Sequence, residues 1–246
     1  MTRYEATDDF HGAEFAGLDM SGAEFREVDL TGARMYGVLL TDADIDGAIS
    51  GLKVNGVEVA PLVDAELNRL HPERAKLRAT SPEGLREAWS EVESLWGPTM
   101  RRARALPEAE LHRSVNGEWS FTQTLRHLVF VTDAWFGRAV LGRDAPFHPI
   151  GLPASFTAEA DGYGIDLAAD PTFDLVAEVR AGRMAEVSAF LAEVTQGELD
   201  RVRDPVPGPG LPPPASRTAI ECLHVLLNEE WEHHRFAVRD LDAGAP

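Results

Sequence analysis

Six consecutive residues near the C-terminus, Glu229-Glu230-Trp231-Glu232-His233-His234, hold the side chains best suited to bind a metal ion. They lie in an amphipathic run from about Ser216 to Leu241, where carboxylates and imidazoles interrupt an apolar face. Residues four apart are neighbours on a helix, so Glu229 with His233, or Glu230 with His234, point into one site. Either pair is half a metal site. A third ligand must come from another helix, and His127, one turn before Val131, is the candidate. One carboxylate with two imidazoles leaves a coordination position open for water or substrate, as catalytic zinc sites do. The remaining positive charge would stabilise a bound hydroxide or thiolate.

Two rows of the helix compete for this role. Cys222, Leu226, Glu229, His233 and Phe236 step by four and three, and so do Leu223, Leu227, Glu230, His234 and Ala237. Spacing does not choose between them. The same pattern also suits exposed ion pairs and histidines that answer the helix dipole.

Four helical stretches must position these groups. Ser81-Pro82-Glu83 starts the first, with Ser as cap and Pro just inside. Leu85, Trp89, Val92, Leu95 and Trp96 recur along it at three and four, and Gly97-Pro98 should kink or split it. The second follows Trp119, with Ser120 as cap, through about Leu141. A crossover from Gly142 to Pro171 precedes a third helix from about Phe173 to Val194, whose inward residues are read as Leu175, Val176, Val179, Met184, Val187, Phe190 and Leu191. A Pro/Gly loop, Pro205 to Pro214, leads to the fourth helix near Ser216. Four such helices with one long connection describe a bundle with a crossover, which lets the second and third helices run parallel.

The N-terminal part follows another rule. Phe15, Met20, Phe25, Leu30, Met35, Leu40 and Ile45 recur every five residues, each preceded two places earlier by Ala13, Leu18, Ala23, Val28, Ala33, Val38 or Ala43. Neither a helical nor a strand period fits this. The pattern resembles the pentapeptide-repeat family, which implies a right-handed square β-helix with the large and small residues inward. At four pentapeptides per coil the stretch makes about two coils, stacked about 4.8 Å apart. That is too short to imitate duplex DNA as long acidic members do, so a cap or recognition platform is expected. Asn55-Gly56 then signals a hairpin, Pro61 opens a short helix through about Leu70, and Glu73 to Thr80 reads as a connector. The division expected is 8–50 for the repeats, 51–80 for hairpin, helix and connector, and 81–246 for the bundle.

Composition narrows the function. The formal net charge of −18 argues against a nucleic-acid groove or an anionic membrane as partner. No apolar run spans a bilayer, the first residues lack a signal-peptide core, and the single cysteine, Cys222, forbids an internal disulfide. A cytoplasmic protein is expected. Cys222 reads as a small core residue, Trp119, Trp135 and Trp231 as core fillers with Trp231 at the pocket edge, and His148 as a crossover residue that could cover the metal. His11, His71, His112 and His224 have no spacing partner.

Gly117-Glu118-Trp119-Ser120, Leu125-Arg126-His127-Leu128 and Asn228-Glu229-Glu230-Trp231-Glu232-His233-His234-Arg235 resemble the DinB-like superfamily of metal-binding four-helix bundles, over roughly Pro82 to Leu241. Many members carry a His on the second helix and a His-x-x-x-His pair on the fourth. The glutamate at the first position of that pair resembles the mycothiol-dependent maleylpyruvate isomerase branch. In many members arginine directly follows the last ligand, so His234-Arg235 implies the set His127, Glu230 and His234, with Glu229 and His233 as the fallback pair. The resemblance implies a divalent metal, zinc first and nickel or iron otherwise, and a low-molecular-weight thiol presented as thiolate to a small electrophile by a transferase or isomerase. A metal-dependent hydrolase, or a non-catalytic metal-binding protein whose pentapeptide stub docks a partner, is the alternative. A homodimer through helix faces is also implied. Members of the isomerase branch usually carry a further C-terminal domain, whereas the sequence here ends at Pro246.

Overall fold

The computed structural model describes residues 4, 9–154, 157, 160–207 and 211–243. The fold is mainly α: a four-helix bundle preceded by the repeat segment.

Residues 9–50 contain no assigned strand. Instead a hydrogen-bonded turn recurs every ten residues, closed by Ala13, Ala23, Ala33 and Ala43 donating to the carbonyls of Phe10, Met20, Leu30 and Leu40, with a bend midway between. Gly12, Gly17, Gly22, Gly32 and Gly37 take positive φ at the corners, and Glu27 and Asp42 take the same left-handed conformation where glycine is missing. The rings of Phe10 and Phe15 meet at 5.8 Å. The large residues of the repeats are not buried, however: Phe15 is 57% exposed and Leu40 51%.

The hairpin forms as expected from β1 (Lys53–Val54) and β2 (Val57–Glu58), with Val54 opposite Val57 and both Asn55 and Gly56 at positive φ. Helix α1 (Ala60–Leu70) follows, then a 3-10 helix, Pro72–Arg78, where only a connector was expected. Its Arg74 and Leu77 are buried against the bundle, which explains why this charged stretch is ordered.

Helix α2 (Pro82–Ala103) is capped by the Ser81 hydroxyl and buries Leu85, Trp89, Val92 and Trp96. It runs through Pro98 as one helix and is not split there. Pro98 and Ser94, whose carbonyl loses its partner, are both on the solvent side, where that carbonyl is open to water. After the single turn α3 (Glu108–Leu111), Ser120 and Gln123 form a reciprocal capping box that starts α4 (Phe121–Val131). This helix continues as a π-helix, Thr132–Val140, with buried residues on almost every side.

The crossover folds back onto α4 through stacked rings: Phe147 lies 5.6 Å from Phe130 and 4.8 Å from Tyr163. Helix α5 (Phe173–Glu193) is parallel to α4, since Phe121 meets Phe173 near their starts and Phe136 meets Phe190 near their ends. Of its expected inward residues, Leu175 is exposed, while Arg180, not expected there, is buried. After α6 (Gln196–Asp200), β3 (Val202–Arg203) pairs with β4 (Arg217–Thr218), and α7 (Ala219–Ala243) completes the bundle. Residues 208–210 of the Pro/Gly loop fall outside the described ones. Helices α2, α7, α4 and α5 neighbour one another in that cyclic order, so α5 and α7 face across the diagonal.

Candidate metal centre

His127 comes from the middle of α4, and Glu229 and His233 from one row of α7. Their ligand atoms all lie within 4.8 Å of one another. Oε2 of Glu229 is 3.2 Å from Nε2 of His233 and 3.7 Å from Nε2 of His127. Tetrahedral donors placed ~2.0–2.2 Å from a zinc ion are about 3.3–3.5 Å apart, close to both separations. The cluster is inside the bundle but open on one flank, where the Glu229 side chain retains 33% exposure.

The protonation pattern fits a cation. Nδ1 of His127 is 2.8 Å from the Leu152 carbonyl oxygen, which can only accept, so Nδ1 carries the proton and Nε2 presents its lone pair to the cluster. Burial pushes the His127 pKa below the usual imidazole value despite the nearby carboxylate, so the ring is neutral at pH 7. Burial would raise the Glu229 carboxyl, but its contact with His233 lowers it, and the group is ionised at pH 7. A lone pair thus faces an ionised oxygen with no proton between them. A divalent cation shared by the three residues resolves that repulsion, and the donor set suits one.

The other row is turned away. Glu230 is fully buried but accepts hydrogen bonds from both terminal guanidinium nitrogens of Arg180, at 2.9 and 2.7 Å. His234 Nε2 is 2.9 Å from the Thr99 hydroxyl, and its ring packs edge-on against Trp96. The set His127, Glu230 and His234 is therefore not brought together; the fallback pair is the one that meets His127. Arg235, which follows His234, bonds Glu232, at 2.9 Å, and packs on the Trp231 ring.

Trp119 belongs to the site more than to the core. Half-buried, its ring lies 4.6 Å from that of His127 and stacks on His233 at 6.1 Å. The loop carrying it is tied to the repeats, since Arg26 donates to the Asn116 carbonyl. Trp231 is buried but away from the ligands, with Nε1 donating to Glu73 at 3.3 Å. Trp135 is half-buried beneath Arg217. His148 does not reach the cluster: its Nδ1 accepts from the Ile150 amide, and its own amide donates to Asp133. The crossover touches the site through Leu152 instead. Cys222 is core, its thiol pushed up to about 11 by burial.

A helical bundle that gathers two imidazoles and a carboxylate between two facing helices belongs to the class that builds metal sites from inward side chains. The DinB superfamily profile matches residues 84–237, well over half of the chain. The chain therefore belongs to the DinB superfamily, whose bundles generally bind metal. Pentapeptide repeats match in eight copies over residues 9–47. No curated protein and no solved structure matches the chain. No helix among the described residues is long and apolar enough to cross a membrane.

Proposed function

We propose that the protein is a divalent-metal-dependent enzyme that uses a low-molecular-weight thiol on a small electrophile, as a transferase or isomerase. The observation that carries this reading is the lone pair of His127 aimed at ionised Glu229, with His233 completing the set. When bound, the cation supplies Lewis acidity that favours the deprotonated, nucleophilic form of a thiol at neutral pH. Leu152 fixes the His127 tautomer, and Glu229 contributes one negative charge, leaving the centre cationic. Trp119 shields the two imidazoles, while the exposed flank beside Glu229 gives access. The cytosol, a homodimer and zinc as the resident ion complete the proposal.

Cobalt(II)-substituted protein tests it. Adding a low-molecular-weight thiol should change the visible spectrum as sulfur enters the open position. A spectrum indifferent to every thiol tried would refute thiol chemistry and favour hydrolysis or a non-catalytic metal-binding role.

A further inference from the structure

Helix α7 offers two Glu-x-x-x-His rows about 100° apart around its axis, with nearly equal apolar content. Hydrophobic packing alone leaves the choice between them open. The row that faces away from His127 is held at both of its polar residues. Arg180 crosses the bundle diagonal from α5, 3% exposed at its side chain, and meets Glu230 through a two-point fork. Its guanidinium lies over Trp96 of α2, 4.5 Å from the ring centroid, and Trp96 Nε1 donates to the Glu230 carbonyl at 3.3 Å. One turn on, Thr99 holds His234.

We propose that Arg180 is a positioning residue for the metal centre. Its pairing with Glu230 sets the rotation of α7 about its axis and so selects Glu229 and His233 as the residues presented to His127. A buried ion pair is a poor source of net stability, because desolvation offsets the attraction, but it is directional and breaks the near-degeneracy of the two rows. Removing one partner strands a charge, whereas removing both frees the helix to turn. The functional consequence rests on the metal reading above; the rotation itself does not.

The test is disulfide trapping in otherwise cation-free protein. Cysteine pairs at 127 and 233, and at 127 and 234, report which row faces α4, in the parent chain and in Arg180→Met/Glu230→Leu. The parent should trap 127–233 almost exclusively. In the double variant trapping at 127–234 should rise at least several-fold, and zinc affinity measured with the histidines intact should fall at least tenfold. Arg180→Lys, which keeps the charge but loses the fork, should shift trapping toward 127–234 to a smaller but measurable extent, and it serves as the readout should the double variant not fold. Unchanged trapping with unchanged zinc affinity overturns the proposal. If trapping shifts but the parent binds no zinc, the metal reading fails and the indexing role stands.

Discussion

Glu230→Gln leaves the Arg180 guanidinium buried without its counter-charge, while Glu229→Gln changes a side chain one-third exposed and paired with no arginine. Breaking one side of a buried ion pair costs about 3–5 kcal/mol. The amide retains one acceptor, so the lower end, about 3 kcal/mol, applies. In a chain of this length each kcal/mol moves Tm by about 2–4 °C, which gives a fall of roughly 6–12 °C for Glu230→Gln. Loss of a partly exposed carboxylate–imidazole contact is worth at most about 1 kcal/mol, or a few degrees. Zinc reverses the ranking. At a hundredfold excess over Kd a ligand adds about 2.7 kcal/mol, a rise of roughly 5–11 °C. The parent chain should show that rise, Glu230→Gln should keep part of it, and Glu229→Gln should lose it. Thermal unfolding followed by circular dichroism, with and without zinc, reads all six states. A zinc-induced rise that survives in Glu229→Gln and vanishes in Glu230→Gln would refute the assignment of rows.

Three further outcomes follow from the same geometry. The cation-free protein should lose stability as pH falls below about 6.5, because burial depresses the His127 pKa and the unfolded chain takes up that proton first; Glu229, held below its ordinary 4.5 by His233, adds a second loss as pH drops below that value. A melting temperature flat from pH 7 to 3 would contradict both assignments. Cys222 should resist thiol reagents in the native state and react only on unfolding, since it is 1% exposed and its thiol titrates at about 11. Arg26→Ala should loosen the loop carrying Trp119 and raise the acrylamide quenching of tryptophan fluorescence, with little change in bundle stability; unchanged quenching would mean that the repeats do not brace the site.

Much of this was legible in the residues because local rules and tertiary structure agree. The five-residue period, the Asn55-Gly56 turn, the Ser81 and Ser120 caps and the helix count all survive. The row that the structure turns away from His127 is instructive. Its decisive partner, Arg180, stands on α5 fifty residues before Glu230, so no spacing within α7 could reveal it. A signal existed nonetheless: Arg180 falls on the stripe Val176, Arg180, Met184, Val187, Leu191, and a cation on an apolar stripe requires a buried acid. The role of Trp119 was hidden because aromatic residues before a cap fill cores as readily as they line sites. Pro98 shows the opposite limit, since a helix breaker is harmless where its orphaned carbonyl meets water.

The central claim is that His127, Glu229 and His233 gather one cation. Anomalous diffraction at the zinc edge, from crystals of the untagged protein loaded with zinc, addresses it most directly. The expected result is a single peak ~2.0–2.2 Å from Nε2 of His127, from Nε2 of His233 and from a Glu229 oxygen. A peak beside Glu230 and His234, or none at His127, would contradict it.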